Sequence, residues 1–331
     1  MYRTGSLAAA ALIATFALPA AAQRTEIDAQ AENAERGSRW AGSTISYGQV
    51  ATTVSLDKSA ELTWNPYWAH ALTLAPRYRF ADDFVAGLSF TVEQELTDSD
   101  WTTRRHEPVA SDLFVDLGWT GWQEQTTQIR VSASVRAALP TSTLSRAQTQ
   151  LLAVGPSVRV SRTFDVASGL ELSWSTRWMQ RFHEQTTARA DASGIVGCSA
   201  ERCDALTNTG VLNARGDLLL GPSVSLRLGD AVSLDGDFRW GESFVYDNAR
   251  VVDPVSGDVV ADASDFAGRT STLFSLGASW SPADDLTLTL LASTPTPQPG
   301  LDGQRRPPFF NRYTQVGFDL QLNLDALAAR L

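Results

Sequence analysis

Apolar and polar residues alternate with a period of two over most of this chain. In the stretch LAPRYRFADDFVAGLSF (74–90), apolar side chains take every second position on both sides of a short polar turn. Such alternation predicts a strand, a tight turn and a second strand, each with one apolar face. The opposite face of the first strand carries Arg77 and Arg79. One face therefore suits a protein core or a lipid bilayer, and the other suits water.

About twelve alternating segments follow one another along the chain. Most are longer than the ~5–6 residues of a typical soluble strand, and they match the about 9–11 tilted residues that cross a bilayer. The segments lie near residues 43–56, 68–80, 84–96, 111–122, 127–139, 150–162, 169–182, 211–228, 232–246, 269–281, 286–294 and 312–324.

The connections between these segments alternate in length. Short connections lie at 81–83, 123–126, 163–168, 229–231 and 282–285, and long ones at 57–67, 97–110, 140–149, 183–210, 247–268 and 295–311. Short turns on one rim and long loops on the other are typical of an up-and-down membrane barrel. With an even number of strands, both ends of the barrel sequence lie on the short-turn side.

Tryptophans support a membrane-facing exterior. Six of the ten share the apolar parity of their strands and lie mostly near strand ends, where aromatic girdles meet the membrane interfaces; they are Trp68, Trp119, Trp174, Trp178, Trp240 and Trp280. A soluble β-sandwich shows the same alternation, with its apolar face in the core. The segregated connections favour the membrane. We predict an all-β fold, a transmembrane up-and-down antiparallel β-barrel of about 12 strands with short periplasmic turns and long extracellular loops.

The last predicted strand, QVGFDLQLN (315–323), resembles the C-terminal assembly signal of bacterial outer-membrane β-barrel proteins. That signal runs polar, x, Gly, x, x, hydrophobic, x, hydrophobic, and Gln315, Gly317, Leu320 and Leu322 stand at these positions. The tail LDALAARL departs from the aromatic ending of many family members. The resemblance implies a porin-like or transporter-like barrel in the outer membrane of a Gram-negative bacterium. It also implies outer-membrane lipid and the barrel-assembly machinery as partners.

The N-terminal region has the pattern of a secretory signal peptide. Arg3 supplies a positive charge, an apolar run follows from Leu7 to Pro19, and Ala20-Ala21-Ala22 offers small residues for cleavage. We predict a signal peptide over 1–22, a periplasmic N-terminal segment over 23–42 and the outer-membrane β-barrel domain over 43–331.

Composition narrows the partners. The net charge is −10, which argues against nucleic acid, because that binding needs clusters of Lys and Arg. No cofactor is expected, and no cluster of metal-ligating residues is evident. The two cysteines, Cys198 and Cys203, predict a disulfide within one extracellular loop, since an exported chain meets an oxidising compartment.

The polar faces of the strands define a charged lumen. By parity, the predicted lumen-lining residues are Arg77, Arg79, Glu93, Asp112, Asp116, Arg130, Arg136, Arg159, Glu171, Arg177, Arg181, Arg215, Asp217, Arg227, Asp235, Asp237, Arg239 and Asp319. One interpretation is a network of paired charges that braces the interior. The other is a constriction through which small polar solutes pass, because rings of charge set pore selectivity.

We therefore predict a narrow channel for small polar solutes. A structural or adhesin barrel and a hydrophobic-substrate transporter remain alternatives. A lipid-modifying enzyme is the weakest of these, because the chain has only three histidines, of which His70 and His183 are the only bases worth testing. No enzyme activity is expected.

Overall fold

A computed structural model of the protein describes residues 38–53, 67–97, 106, 108–190, 207–246, 251–252, 259–260, 268–298, 305–311 and 313–330. The predicted signal peptide and most of the predicted periplasmic segment lie outside these residues. So do Cys198 and Cys203, and their disulfide stays a prediction. Among the described helices, none is long and apolar enough to cross a membrane.

Strands make up nearly all of the described structure. Their bounds are β1 Thr44–Thr52, β2 Trp68–Ala75, β3 Arg77–Ala81, β4 Phe84–Glu95, β5 Pro108–Ala110, β6 Leu113–Gln123, β7 Ile129–Leu139, β8 Gln150–Phe164, β9 Leu170–His183, β10 Thr187–Ala190, β11 Thr207–Leu212, β12 Ala214–Leu228, β13 Val232–Val245, β14 Val251–Val252, β15 Val259–Val260, β16 Gly268–Ala283, β17 Leu286–Gln298 and β18 Gln315–Asn323. Two short helices accompany them, α1 Thr143–Ala147 and α2 Leu324–Arg330.

The strands close into one antiparallel barrel. Each barrel strand pairs with its neighbours in sequence, and β1 pairs with β18 from Thr44↔Asn323 to Thr52↔Gln315, which closes the sheet. β2 and β3 form one barrel strand interrupted at Pro76, and β5 extends β6 along β4. The pairs β10–β11 and β14–β15 form separate small hairpins. The result is the closed barrel of 12 strands that the alternation predicts.

Apolar side chains cover the outside of the barrel. Leu290, Trp280 and Trp122 are 61%, 52% and 56% exposed, although each lies within a barrel strand. Side chains of this kind are stable in such numbers only against lipid, because contiguous apolar surface of this size is rare on soluble monomers. A closed barrel also leaves no unpaired sheet edge in the hydrocarbon. The chain is therefore a membrane-spanning β-barrel.

The connections have the predicted asymmetry. The short turns join β3 to β4, β6 to β7, β8 to β9, β12 to β13 and β16 to β17, on the rim where β1 begins and β18 ends. The first described residues lie against the outside of this rim. The Arg39 guanidinium donates to the Tyr78 hydroxyl at 3.2 Å, and the Trp40 ring packs edge-on against Tyr78 at 5.0 Å.

Candidate functional site

The candidate site is the polar inner face of the barrel. Strand register places the inward residues opposite one another: Asp116 lies beside Arg136, and Asp217 lies between Met179 and Ser243. The inward Arg136, Arg159 and Asp237 are 5–7% exposed, whereas the outward Leu117 and Trp174 are 48–49% exposed. At these positions, the side chains that parity assigns to the inner face are the less exposed ones.

Ion pairs brace the inner wall. Arg136 binds both carboxylate oxygens of Asp116, through Nε at 2.7 Å and Nη2 at 2.9 Å. Arg159 Nη2 lies 2.6 Å from Glu171 Oε1, and Arg239 Nε lies 2.9 Å from Asp237 Oδ2. Arg181 Nε pairs with Asp217 in the same way. Paired guanidinium groups carry little net field into the lumen, so these residues serve mainly to satisfy one another's buried charge.

A chain of hydrogen bonds runs along the wall toward the long-loop rim; we call it the polar belt. Gln150 Nε2 donates to Asp112 at 3.4 Å, and Arg181 Nη1 donates to Gln150 Oε1 at 3.0 Å. Arg181 Nε and Ser243 Oγ each donate to Asp217 at 2.5 Å. The belt thus connects the residues before β6 with β8, β9, β12 and β13.

The belt also holds a loop at the barrel mouth. Asp112 accepts from the Ser142 backbone N–H and the Ser145 hydroxyl at the start of α1, rather than from an arginine across the hairpin. At the other end of this loop, His183 Nδ1 lies 2.8 Å from the Gln148 carbonyl oxygen. The loop 140–149 is therefore anchored to the inward-facing side chains of Asp112 and His183.

Arg177 differs from the other central arginines. Among the described residues, it has no carboxylate within ion-pair distance and no hydrogen bond. Its charge is opposed by those of Arg136, Arg239 and Arg181 and attracted by Asp217. It faces inward, where its register partners are Ser157 on β8 and Leu219 on β12. Arg177 therefore contributes a positive charge to the lumen that no described carboxylate neutralises at ion-pair distance.

Apolar side chains share this inner face. Phe114, Ala138, Ala153 and Met179 contact one another on the adjacent strands β6 to β9, and we call them the apolar patch. The Arg136 guanidinium lies over the Phe114 ring, 5.1 Å from its centroid. Leu219 and Leu273 also point inward and are 6% and 3% exposed. The lumen is thus mixed in polarity rather than wholly charged.

The other predicted lumen residues lie away from this centre. Arg77 is buried near the short-turn rim, where its backbone N–H donates to the Ser43 hydroxyl at 3.0 Å. Arg130 donates to Gln123 at 3.2 Å beside a turn. The remainder occupy inward positions or strand ends on either side of the centre: Arg79, Glu93, Arg215, Arg227, Asp235 and Asp319.

The histidines do not gather at one place. His70 faces outward, 3.1 Å from Gln94 Oε1 and 3.5 Å from the Tyr47 hydroxyl. His183 faces inward, with Nε2 3.0 Å from the Ala214 carbonyl oxygen. His106 lies 3.2 Å from the Glu95 carbonyl oxygen. Within the described ranges, no three His, Cys, Asp or Glu side chains are grouped as a metal site.

Sequence parity overlooked the apolar part of the lumen. Phe114, Ala138 and Leu219 each stand in the middle of three consecutive apolar residues, so they break the alternation. Those three-residue runs were the available signal, because one member of each run must point inward. Gln150 was overlooked for a different reason, since its role depends on side chains from two other strands.

Known structures of similar shape are outer-membrane barrels. An outer-membrane channel from Pseudomonas putida F1 aligns at 11% identity with a TM-score of 0.49, covering 86% of this chain and 98% of that chain. The KdgM porin aligns at 9% identity with a TM-score of 0.41, covering 85% of this chain and 98% of that chain. LpxR from Salmonella typhimurium aligns at 11% identity with a TM-score of 0.36, covering 85% of this chain and 99% of that chain. No protein-family model and no curated protein sequence matches the chain. Its function therefore has to be inferred from its own lumen.

Proposed function

We propose that this barrel is a narrow channel for small polar solutes and that it favours anions. The observation that carries the proposal is Arg177, an inward arginine without a carboxylate partner among the described residues, with Arg136, Arg181 and Arg239 acting on its charge. A fixed positive charge in a narrow lumen raises the local concentration of anions and lowers that of cations.

The size of the barrel fits a narrow passage. Eight strands enclose only enough space for side chains, and sixteen to eighteen leave a wide aqueous channel. Twelve strands are intermediate. Long arginine side chains line this lumen, and the loop 140–149 is bound to inward-facing side chains at its mouth, so the passage suits small solutes.

The Arg177→Gln variant tests the proposal. We expect the anion-to-cation permeability ratio to fall about three- to sevenfold, because a unit charge about 7 Å from an ion in water contributes about 0.6 kcal/mol, with opposite sign for anions and cations. The measurement is the reversal potential of single channels in planar bilayers under a sodium chloride gradient. Raising the salt concentration should reduce the difference between wild type and variant, because ions screen the charge.

Arg162→Gln is the matched control. Arg162 lies on the same wall but on the outward face of β8, with its guanidinium over the Phe164 ring at 4.8 Å. The same chemical change there should leave ion selectivity unchanged. Arg181 is less suitable as a target, because its removal also frees Asp217 and Gln150. A wild-type barrel without conductance, or equal selectivity in wild type and Arg177→Gln, would contradict the proposal.

A catalytic role has less support in the same residues. His70 contacts an amide and a phenol, and His183 contacts backbone carbonyl oxygens. Nucleophilic catalysis needs a base that is close to a nucleophile and is itself oriented by a further group. We propose that transport, rather than hydrolysis of lipid, is the activity, with outer-membrane lipid and the assembly machinery as its partners.

A further inference from the structure

The apolar patch lies directly beside the proposed anion site. Its members occupy successive register positions, with Phe114 opposite Ala138 and Ala138 opposite Ala153. Met179 continues the patch on β9, where it stands between Arg177 and Arg181 on the inward face. Ala138, Ala153 and Met179 are buried, so a solute at Arg177 would meet the patch first through Met179, its neighbour on the inward face of β9.

The surrounding arginines differ in their freedom to bind. Arg136 is held by both oxygens of Asp116, and Arg181 by Asp217 and Gln150. Arg177 has no such bond among the described residues, and its register partner on β12 is the apolar Leu219. Its guanidinium can therefore offer two parallel N–H donors to an incoming carboxylate, the strongest hydrogen-bonding arrangement for that pair.

We infer that the preferred solutes are small organic acids that carry a carboxylate and an apolar ring or chain. The carboxylate binds Arg177, and the apolar part lies on Met179, Phe114 and Leu219. This inference rests on the proposed anion-selective channel and specifies its substrate class. Burial of even a few carbon groups contributes binding, at about 0.8 kcal/mol per methylene, that chloride or acetate cannot obtain.

The apolar patch should also separate solutes by how they are hydrated. A hydrated inorganic anion beside Arg177 gains only the electrostatic attraction, because it has no apolar surface to bury against the patch. An anion with an apolar body also releases water from the patch and from itself. Charge and apolar surface therefore act on different parts of the same solute and can be tested separately.

The experiment compares block of chloride current by benzoate and by acetate in planar bilayers. In the wild-type barrel, the half-blocking concentration of benzoate should be about 10-fold lower than that of acetate, since this corresponds to burial of roughly two carbon groups. Met179→Gln keeps the length of the side chain but removes its apolar character. It should abolish most of this difference.

Two further variants separate the possible causes. Met179→Leu keeps an apolar side chain and should retain the preference for benzoate, which distinguishes apolar contact from general disturbance of the wall. Arg177→Gln should raise the half-blocking concentrations of benzoate and acetate together. Equal block by both acids in the wild type, or an unchanged preference in Met179→Gln, would overturn the inference. Selectivity for chloride over sodium in the same wild-type barrel would still support the channel proposal. Absence of chloride selectivity in the wild type would instead reject the channel proposal and this inference with it.

Discussion

Arginine is the cation that this barrel uses, and single side chains show why. The chain has one lysine, Lys58, whereas arginines bridge neighbouring strands across the inner wall. The planar guanidinium of Arg136 binds Asp116 through two atoms, and that of Arg181 joins Asp217 to Gln150. A lysine ammonium has no such fork and holds a carboxylate as a point charge. These arginines therefore fix the positions of neighbouring side chains as well as carrying charge.

A turn at the short-turn rim gives a residue-scale prediction about pH. The Glu124 carboxylate accepts from the Thr127 hydroxyl at 2.6 Å and from the backbone N–H groups of Thr126 and Thr127. The Thr127 hydroxyl, followed by these backbone bonds, lowers the pKa of Glu124 to about 2. Because the folded pKa lies below the unfolded value, the ionised carboxylate stabilises the turn above about pH 4.5, and this contribution is lost as the pH falls toward 2.

NMR titration of the Glu124 side-chain carbon should therefore give a midpoint near pH 2. Thr127→Val removes the hydroxyl donor and should move the midpoint toward the ordinary value for glutamate. A wild-type midpoint near 4.5 would show that the turn does not hold the carboxylate in solution.

Close packing of neighbouring strands governs the barrel at the scale of its elements. β8 and β9 approach so closely at Gly155 that an added Cβ would lie 1.9 Å from the Trp178 carbonyl oxygen. This contact is with backbone, so it cannot be relieved by rotating a side chain.

Gly155→Ala should therefore destabilise the barrel by about 3 kcal/mol or more, or prevent it from folding, since β8 and β9 must separate. Gly87→Ala is the matched control, because a Cβ there meets only side-chain atoms at 3.7–3.8 Å and a carbonyl oxygen at 3.9 Å. Folded yield and urea unfolding, followed by the shift in electrophoretic mobility between folded and unfolded barrel, distinguish the two variants. Equal stability of both variants would contradict the close approach of β8 and β9.

The two faces of the closed sheet meet different solvents at the scale of the whole molecule. On β17, the outward Leu290 is 61% exposed, and the adjacent Thr289 points inward opposite Asp319. An arginine at position 290 would therefore face hydrocarbon, and an arginine at position 289 would face the lumen. The comparison depends on the barrel as a whole, because only closure makes one face consistently interior.

Leu290→Arg should cost about 2–4 kcal/mol of folding free energy in lipid, the range for arginine near the bilayer midplane. Thr289→Arg should be far better tolerated, because Asp319 faces the new guanidinium from the next strand. Refolding into lipid vesicles at increasing urea concentration measures both. Similar losses at the two positions would argue that Leu290 does not face hydrocarbon.

Local patterns predicted the fold more completely than the site. The pleat of a strand and the chemistry of the bilayer both repeat with a period of two, so the sequence marks strands and faces directly. The sequence pattern did not predict the division of one barrel strand at Pro76, the helix α1, or the hydrogen bond from Gln150 to Asp112. These depend on how distant strands are aligned, and alternation within one strand contains no information about that alignment. For the same reason Arg181 and Arg177 looked equivalent from the sequence, although only Arg181 has an acidic partner among the described residues.

The pairing of β1 with β18 has a consequence for the order of folding. Every other barrel pairing joins neighbours along the chain, whereas this one brings Thr44 to Asn323 and Val50 to Gly317. Joining such distant residues carries the largest entropic cost of loop closure. The β1–β18 pairing should therefore form last, after the hairpins. At Gly317 an added Cβ would lie 2.2 Å from the Gln49 carbonyl oxygen. A bulkier residue there would leave a complete but open sheet, whose two free edges invite association with other copies.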